Sequence, residues 1–309
     1  MIIDNSTVDM PISEEDFIQN HLLKLTNGNK FARSLMDDVA QIGDIIVNTD
    51  TTIEGVHILE NLPANFIAYK AMARSVSDIF AKNGKPIGYF MNLILPKKFQ
   101  QFENLMQGFA DFNKWHKIDL LGGDTSTHNA GNIIIVVTVL AKVAHSQVET
   151  SNAKNSSQRC NAQIGDGIFI TKNIGEAFFG YSKILASGGI CDFEDPQIQE
   201  YLCPSLVQIS DFSKINASMD ISDGLIADSK KMAKASNLCF ELDFNALPHL
   251  GGVSEESLQF GDDYNILATS KEDSLPNFTK IGTVKNGTGV VLTNCPFALD
   301  CEGYDHFAR

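Results

Sequence analysis

Residues 218–225 read Ser-Met-Asp-Ile-Ser-Asp-Gly-Leu. The apolar start through Ile221 predicts a strand. Ser222-Asp223-Gly224 breaks it, and Leu225 to about Asn237 predicts a helix. A strand that ends in a carboxylate and a glycine, immediately before a helix, places acid, flexible backbone and free N–H groups together. Helix N-termini bind anions through those N–H groups. Asp223 fits there in two ways, as the cap of the helix or as a ligand to a cation.

The same grammar recurs outward in both directions. Toward the N-terminus, Asp44 to Thr49 (DIIVNT) predicts a β-branched strand ending in Asp50. Pro63 opens a helix to about Asn83, with Phe66, Ile67, Met72, Ala73, Val76, Ile79 and Phe80 at a 3.6-residue period and Gly84-Lys85-Pro86 as its stop. Ile87 to Leu95 predicts a strand. Phe99 to about Trp115 predicts a helix with Phe102, Leu105, Met106 and Phe109 on one face. Ile118 to Leu121 runs into Gly122-Gly123-Asp124. Asn132 to Val143 contains IIIVVTVL, a strand either buried on both faces or long and central. Ser13 to Leu25 predicts an N-terminal helix capped by Ser13. Toward the C-terminus, Gly167 to Thr171, Phe240 to Phe244 and Tyr264 to Thr269 predict strands. Alternating strands and helices in both halves argue for an α/β (α+β) architecture.

The 309-residue length exceeds what one core usually serves. The polar stretch Ser146 to Gln158 (SQVETSNAKNSSQ) marks the expected division, giving domains 1–144 and 145–309. Hydrophobic residues make up 43% and charged residues 20%, as in an ordinary globular enzyme. No apolar run is long enough to span a membrane, and the acidic start MIIDNSTVDM lacks the order of a signal peptide. These features predict a cytoplasmic protein with no membrane partner. The net charge of −14 argues against nucleic acid as a partner. Six cysteines without a CxxC pair predict free thiols.

The familiar catalytic motifs are missing. The chain has no GxxxxGK[ST], GxSxG, HExxH or GxGxxG. What it has are aspartates flanked by Gly, Ser or Thr and expected at strand ends. They are Asp37-Asp38, Asn48-Thr49-Asp50-Thr51, Ser77-Asp78, Gly122-Gly123-Asp124-Thr125, Asp220 to Gly224, and Gly261-Asp262-Asp263. Carboxylates and hydroxyls are hard oxygen ligands suited to Mg²⁺, and glycine lets backbone approach a phosphate. Asp78 falls near the C-terminal end of its predicted helix, where the helix dipole disfavours a negative charge and a cation would relieve it.

In this order the fragments resemble the thiamine-monophosphate kinase family, of the aminoimidazole ribonucleotide synthetase-like superfamily. The resemblance rests on Thr49-Asp50-Thr51 with Gly55-Val56-His57, on Tyr69-Lys70-Ala71, on Ser77-Asp78, and on Leu121 to Thr125. It continues through Met219 to Leu225 and Asp262-Asp263-Tyr264 to the tail Gly303 to Phe307. It implies two α/β domains, each a mixed sheet covered by helices, and a homodimer paired through the N-terminal halves. It implies ATP and thiamine monophosphate as substrates and several Mg²⁺ ions. Asp38, Asn48, Thr49, Asp50, Asp78, Asp124, Asp220 and Asp223 match metal positions. Gly123, Asp124, Arg159 and Ser222 match ATP contacts. His57, Asp262 and Tyr304 match contacts to thiamine phosphate. Asp50, Asp124 and Asp220 are the residues expected to carry catalysis.

Departures from the family pattern are local. Ser34-Leu35-Met36 stands where the family has Gly-x-Gly, Asp262 stands for a Glu, and Ser126-Thr127-His128 follow Gly-Gly-Asp-Thr where an Arg is usual. Two rival readings are an ATP-using synthetase of the same superfamily and a catalytically silent nucleotide-binding regulatory protein. The synthetase that forms selenophosphate needs an early Cys, and no Cys precedes Cys160.

Overall fold

The structure, a computed structural model, describes residues 13–129, 131–144, 157–188, 191–250 and 252–298. The chain opens with α1 (Glu14–Phe17), a π-helical turn (Ile18–Leu22) and α2 (Leu23–Leu25). Ser13 caps this run by accepting the Asp16 N–H. Then follow β1 (Ala40–Ile42), β2 (Ile45–Ile53), α3 (Ala64–Ala81), β3 (Gly84–Pro96), α4 (Phe102–His116), β4 (Leu120–His128) and β5 (Ile134–Val143). The second half contains β6 (Gly167–Ile170), α5 (Glu176–Ala186), α6 (Pro196–Leu202), β7 (Ala217–Ile221), α7 (Leu225–Ser236) and β8 (Cys239–Asp243). It ends with α8 (Glu255–Gln259), β9 (Asn265–Ser270), β10 (Thr279–Lys285) and β11 (Gly289–Thr293).

The strands form two mixed sheets, so the molecule is α/β (α+β) as expected. The first has the order β1-β2-β5-β3-β4, with β3 and β4 parallel. The second has the order β11-β8-β10-β6-β9-β7, with β11 and β8 parallel. In the first sheet α3 packs on β2, β5 and β3, and α4 packs on α3. Burial along β5 follows the two-residue period: Ile135, Val137, Val139 and Ala141 are buried, while Ile134, Val136, Thr138 and Leu140 are half-buried. β5 is therefore long and central, and among the described residues helices cover only one of its faces.

The cores are two. Side chains of α5 and α6, among them Ala177, Ile184, Ile198 and Leu202, complete the core of the first sheet. The second core lies between its sheet and α7. The expected division at 144/145 falls at the edge of residues 145–156, which lie outside the described ones. Among the described residues no helix is long and apolar enough to cross a membrane. The five described cysteines are free.

Three local expectations need correction. Gly84-Lys85-Pro86 does not form a loop after α3; it opens β3. The chain turns one residue earlier, at Asn83, which has φ 59°. A register shift between Pro86 and Gly88 lets a residue without an N–H enter the ladder. On α4 the buried residues are Leu105, Gly108, Phe109 and Phe112, whereas Phe102 and Met106 are exposed. The face turns because α4 crosses the start of α3 at Gly108, where a Cβ would lie 2.1 Å from the Asn65 carbonyl oxygen. Finally, Asp50 and Asp124 do not end strands. They lie inside β2 and β4.

Candidate functional site

Helix α3 carries Lys70, Arg74 and Asp78, and Lys82 caps its C-terminal end, at four-residue intervals. Residues so spaced share one side of a helix. α3 has the first sheet on one side and reaches β7 and β9 of the second sheet on the other. This charged stripe organises the space between the sheets. Each of its members finds a partner far away in sequence.

Asp78 meets Asp38, from the loop before β1, and Asp220, from β7. Carboxylate oxygens of the three lie within 4.8 Å of one another. Asn48 on β2 donates from Nδ2 to Asp78 (2.5 Å) and to the Asp38 carbonyl (3.3 Å). Ser77 donates to Asp220 at 2.7 Å. Burial, then repulsion from Asp220, Asp50 and Asp38, pushes the Asp78 carboxyl well above the usual range. Burial, and next the charge of Asp38, raises Asp220 to about 7. Burial pushes Asp38 upward as well, but Arg159 and Lys82 outweigh it and hold that carboxyl at about 2.

A divalent cation fits this arrangement. Three converging carboxylates repel one another, and the Asn48 side-chain oxygen is buried with no hydrogen-bond partner. A hard cation takes such oxygens as ligands and removes both penalties. Asp50 stands two residues beyond Asn48 on the same face of β2. Its charge contributes to the upward shift of Asp78 and supports the charged state of Arg74.

Beside the cluster opens a cleft of about 780 Å³. Its lining includes the polar side chains of His57, Arg74, Ser222, Asp223 and Asp262 and the aromatic ones of Phe178, Tyr181, Tyr201 and Phe260. Tyr181 and Phe260 have ring centroids 4.8 Å apart, and Phe178 meets Phe260 edge-on at 5.6 Å. His57 accepts the Ile53 N–H on Nδ1, which assigns the neutral ring's proton to Nε2. Asp262 is held from below: Lys70 donates to it at 2.7 Å, Tyr264 at 2.6 Å, and Arg74 lies 3.8 Å away. Asp262 (φ 59°) and Tyr264 (φ 47°) both adopt the left-handed conformation, uncommon for such residues. The adjacent Gly261 cannot carry a side chain, since its Cβ would stand 2.2 Å from the Ser222 carbonyl oxygen. The turn before β9 is thereby pressed onto the turn after β7.

That second turn has its own anchor. The residue that caps helix α7 is Gly224, not Asp223, and no side chain closes that end. Asp228, fully buried, accepts the N–H groups of Ser222 and Asp223, each at 2.9 Å. Asp223 ion-pairs with Lys231 on α7.

The expected site residues therefore separate into groups. Asp38, Asn48, Asp50, Asp78 and Asp220 converge, and Arg159 ion-pairs with Asp38 at their edge. His57, Ser222, Asp223 and Asp262 share the neighbouring cleft. Thr49 and Asp124 stand on the other face of the first sheet. Thr49 pairs with Thr138 and Asp124 with Asn92, both on the face that α3 and α4 leave uncovered. Asp50 and Asp124 lie in strands three spacings apart, about 14 Å. Gly123 packs tightly against β3, where a Cβ would meet the Met91 carbonyl oxygen at 1.7 Å. Tyr304 lies outside the described residues. Sequence reasoning missed Arg74, Lys82, Asp228 and the four aromatic side chains. Only the first two carried a readable signal, the four-residue spacing along α3.

The model of the AIR synthase related protein N-terminal domain matches residues 36–143. The thiamine-monophosphate kinase of Caulobacter vibrioides is 30% identical over 249 residues, covering 77% of this chain and 67% of that one. That of Buchnera aphidicola is 29% identical, covering 93% and 88%. The structure of AaThiL complexed with AMPPCP and TMP superposes with a TM-score of 0.81 at 26% identity, covering 97% of this chain and all of that one. With such identity sustained across most of both sequences and one fold shared end to end, the chain belongs to the thiamine-monophosphate kinase family.

Proposed function

We propose that this chain transfers the γ-phosphoryl group of ATP to the phosphate of thiamine monophosphate, forming thiamine diphosphate and ADP, and that it requires Mg²⁺. The observation that carries this reading is the junction of the acid cluster with the cleft. Ser222 lies two residues beyond Asp220, and Arg74 one helical turn before Asp78. The similarity to AaThiL, which is complexed with AMPPCP and TMP, supports both substrates.

Asp38, Asn48, Asp50, Asp78 and Asp220 would hold the divalent ions. Bound there, such ions supply charge neutralisation between two phosphorylated substrates and at the transferring group. The acceptor oxygen needs no general base, because the second ionisation of a phosphomonoester lies near pH ~6. Arg74 offers a guanidinium between the cluster and the cleft, suited to a phosphate. Asp262, occupied by Lys70 and Tyr264, orients Arg74. The aromatic walls offer flat apolar faces to the thiamine rings, and the cationic thiazolium gains from the ring faces. Transfer is direct, from ATP to the acceptor phosphate.

Thr49 and Asp124 fit the same reading through a homodimer. The uncovered face of the first sheet carries Phe90, 43% exposed, beside the half-buried Val136, Thr138 and Leu140. A second copy laid on that face would bury these residues and enclose Asp124. The direct test supplies ATP, Mg²⁺ and thiamine monophosphate and looks for thiamine diphosphate with ADP. ADP formed without thiamine diphosphate rejects the assignment.

A further inference from the structure

Lys82 follows the last residue of α3, and its side chain is wholly enclosed, 0% exposed. Its Nζ lies 2.6 Å from Asp37 Oδ1 and 2.7 Å from Asp38 Oδ2, and it donates to the Ser218 carbonyl. The three oxygens come from the loop before β1 and from β7 of the other sheet. Two carboxylates and a backbone carbonyl are a set that a hard divalent cation accepts. A lysine ammonium is a compact charge with three donors, so it matches that set in number as well as sign.

The surroundings are asymmetric. Asp37 also receives Arg33 at 2.8 Å, and Asp38 also receives Arg159. Each of these two carboxylates thus has internal cations on two sides. Asp78 and Asp220, a few ångströms away, are bonded instead to the neutral groups of Asn48 and Ser77. The cluster has one half already charge-compensated and one half open to a metal.

We propose that Lys82 is a built-in cation occupying the place of a divalent ion between Asp37, Asp38 and the Ser218 carbonyl. Metal uptake is thereby confined to the side of the cluster where Asp78 and Asp220 meet Asp38, away from Asp37, and α3 is joined to β7 before any metal arrives. This rests on reading the Asp38–Asp78–Asp220 cluster as a divalent-metal site. Lys82 is a positioning residue, since it acts through Asp38 and not on substrate.

The test replaces Lys82 with Met, which keeps the chain length and most of the apolar stem and removes the charge. Mn²⁺ is titrated into the full-length protein, with free ion counted by electron paramagnetic resonance and bound ion by calorimetry. Lys82→Met should bind one ion per chain more than the wild type, and Lys82→Arg should bind the wild-type number. Adding Asp37→Asn to Lys82→Met should abolish the extra ion. In chelator, Lys82→Met should melt below the wild type, and Mn²⁺ should restore more of its melting temperature than it adds to the wild type. Equal stoichiometry in Lys82→Met and wild type overturns the proposal, as does an extra ion that survives Asp37→Asn. If the variant unfolds in chelator, recovery of the fold by Mn²⁺ supports the proposal, and failure to fold at every Mn²⁺ concentration overturns it. Wild-type protein that takes up no Mn²⁺ rejects the metal-site reading, a separate result. The Lys82 substitution would then still show as an ion bound by the variant alone.

Discussion

The ammonium of Lys70 lies 2.7 Å from the carboxylate of Asp262, tying α3 to the turn before β9 across 192 positions of sequence. Lys70 is fully buried and also sits 3.6 Å over the ring of Tyr201, while Asp262 keeps one side on the cleft. Removing one member strands the other charge in a poorly solvated place. Lys70→Met is expected to destabilise the protein by about 3 kcal/mol. Denaturant unfolding should show a lower midpoint with an unchanged slope. A midpoint equal to the wild type's would mean that Arg74 alone compensates Asp262.

Asp220 should separate stability from activity. Its carboxylate is buried against Asp38 and Asp78, and repulsion within the cluster is unfavourable in the metal-free chain. Asp220→Asn keeps an acceptor for the Ser77 hydroxyl and removes a charge. The metal-free variant should be more stable by roughly 1 kcal/mol, while turnover drops by about 100-fold or more. A thermal melt in chelator, paired with the ATP-dependent assay, checks both. Retained turnover at ordinary Mg²⁺ would take Asp220 out of the site.

Among the contributors to the pH dependence of stability outside the metal cluster is Asp263. Asp263 is buried and accepts N–H groups of Gly175 (2.9 Å) and Ala177 (3.5 Å) at the start of α5. Burial raises its carboxyl to about 7. The folded state then binds the proton more tightly than the unfolded chain, so stability falls as pH rises from about 4 to about 7. At roughly 1.4 kcal/mol per unit, this group accounts for about 4 kcal/mol at most. Asp263→Asn still accepts a backbone N–H but cannot ionise. Its unfolding free energy should decline less across that interval than the wild type's. Parallel profiles for the two proteins would contradict the assignment.

The loop before Asp37 stores backbone strain. Arg33, Ser34 and Leu35 have φ of 49°, 55° and 55°, the left-handed region that non-glycine residues avoid at about 1–2 kcal/mol each. This is where Ser34-Leu35-Met36 replaces the Gly-x-Gly of the family pattern. A left-handed turn stands here although the residue type that favours it is absent. Ser34→Gly should therefore stabilise the chain by about 0.5–1 kcal/mol, after allowing for the greater freedom of glycine when unfolded. A calorimetric melting temperature below the wild type's would show that the Ser34 side chain contributes more than its strained backbone loses.

Much of the architecture was legible from local chemistry. The apolar period of α3 predicted a helix from Pro63 to about Asn83, and the structure has Ala64–Ala81. The β-branched run IIIVVTVL predicted a long or central strand, and β5 lies in the middle of its sheet. Periodicity reports which face of an element seeks an apolar neighbour. It does not report which neighbour is supplied, so Phe102 and Met106 were placed on the apolar face of α4 with Leu105 and Phe109, whereas the buried face turns toward Gly108 and Phe112.

At the site the division is sharper. Residue types alone marked the acidic fragments, Asp37-Asp38, Asn48 to Thr51, Ser77-Asp78 and Asp220 to Gly224 among them, and the resemblance to the kinase family singled out Asp38, Asn48, Asp50, Asp78 and Asp220 within them. Which of them share a space is a matter of strand order and pleat. Thr49 and Asp50 are adjacent in sequence yet face opposite sides of β2, since successive strand residues alternate. Asp50 and Asp124 are held apart by β5 and β3. The aromatic wall draws Phe178 and Tyr181 from α5, Tyr201 from α6 and Phe260 from the turn after α8. No motif links them, and only packing of α5, α6 and α8 between the sheets brings them together. By itself, then, the sequence determined which side chains can bind cations and which segments form strands and helices, because those depend on neighbours along the chain. Tertiary structure alone decided that Asp38, Asp78 and Asp220 would share one buried space and that Lys82 would neutralise one side of it. Charges repel or pair only across distances that folding creates.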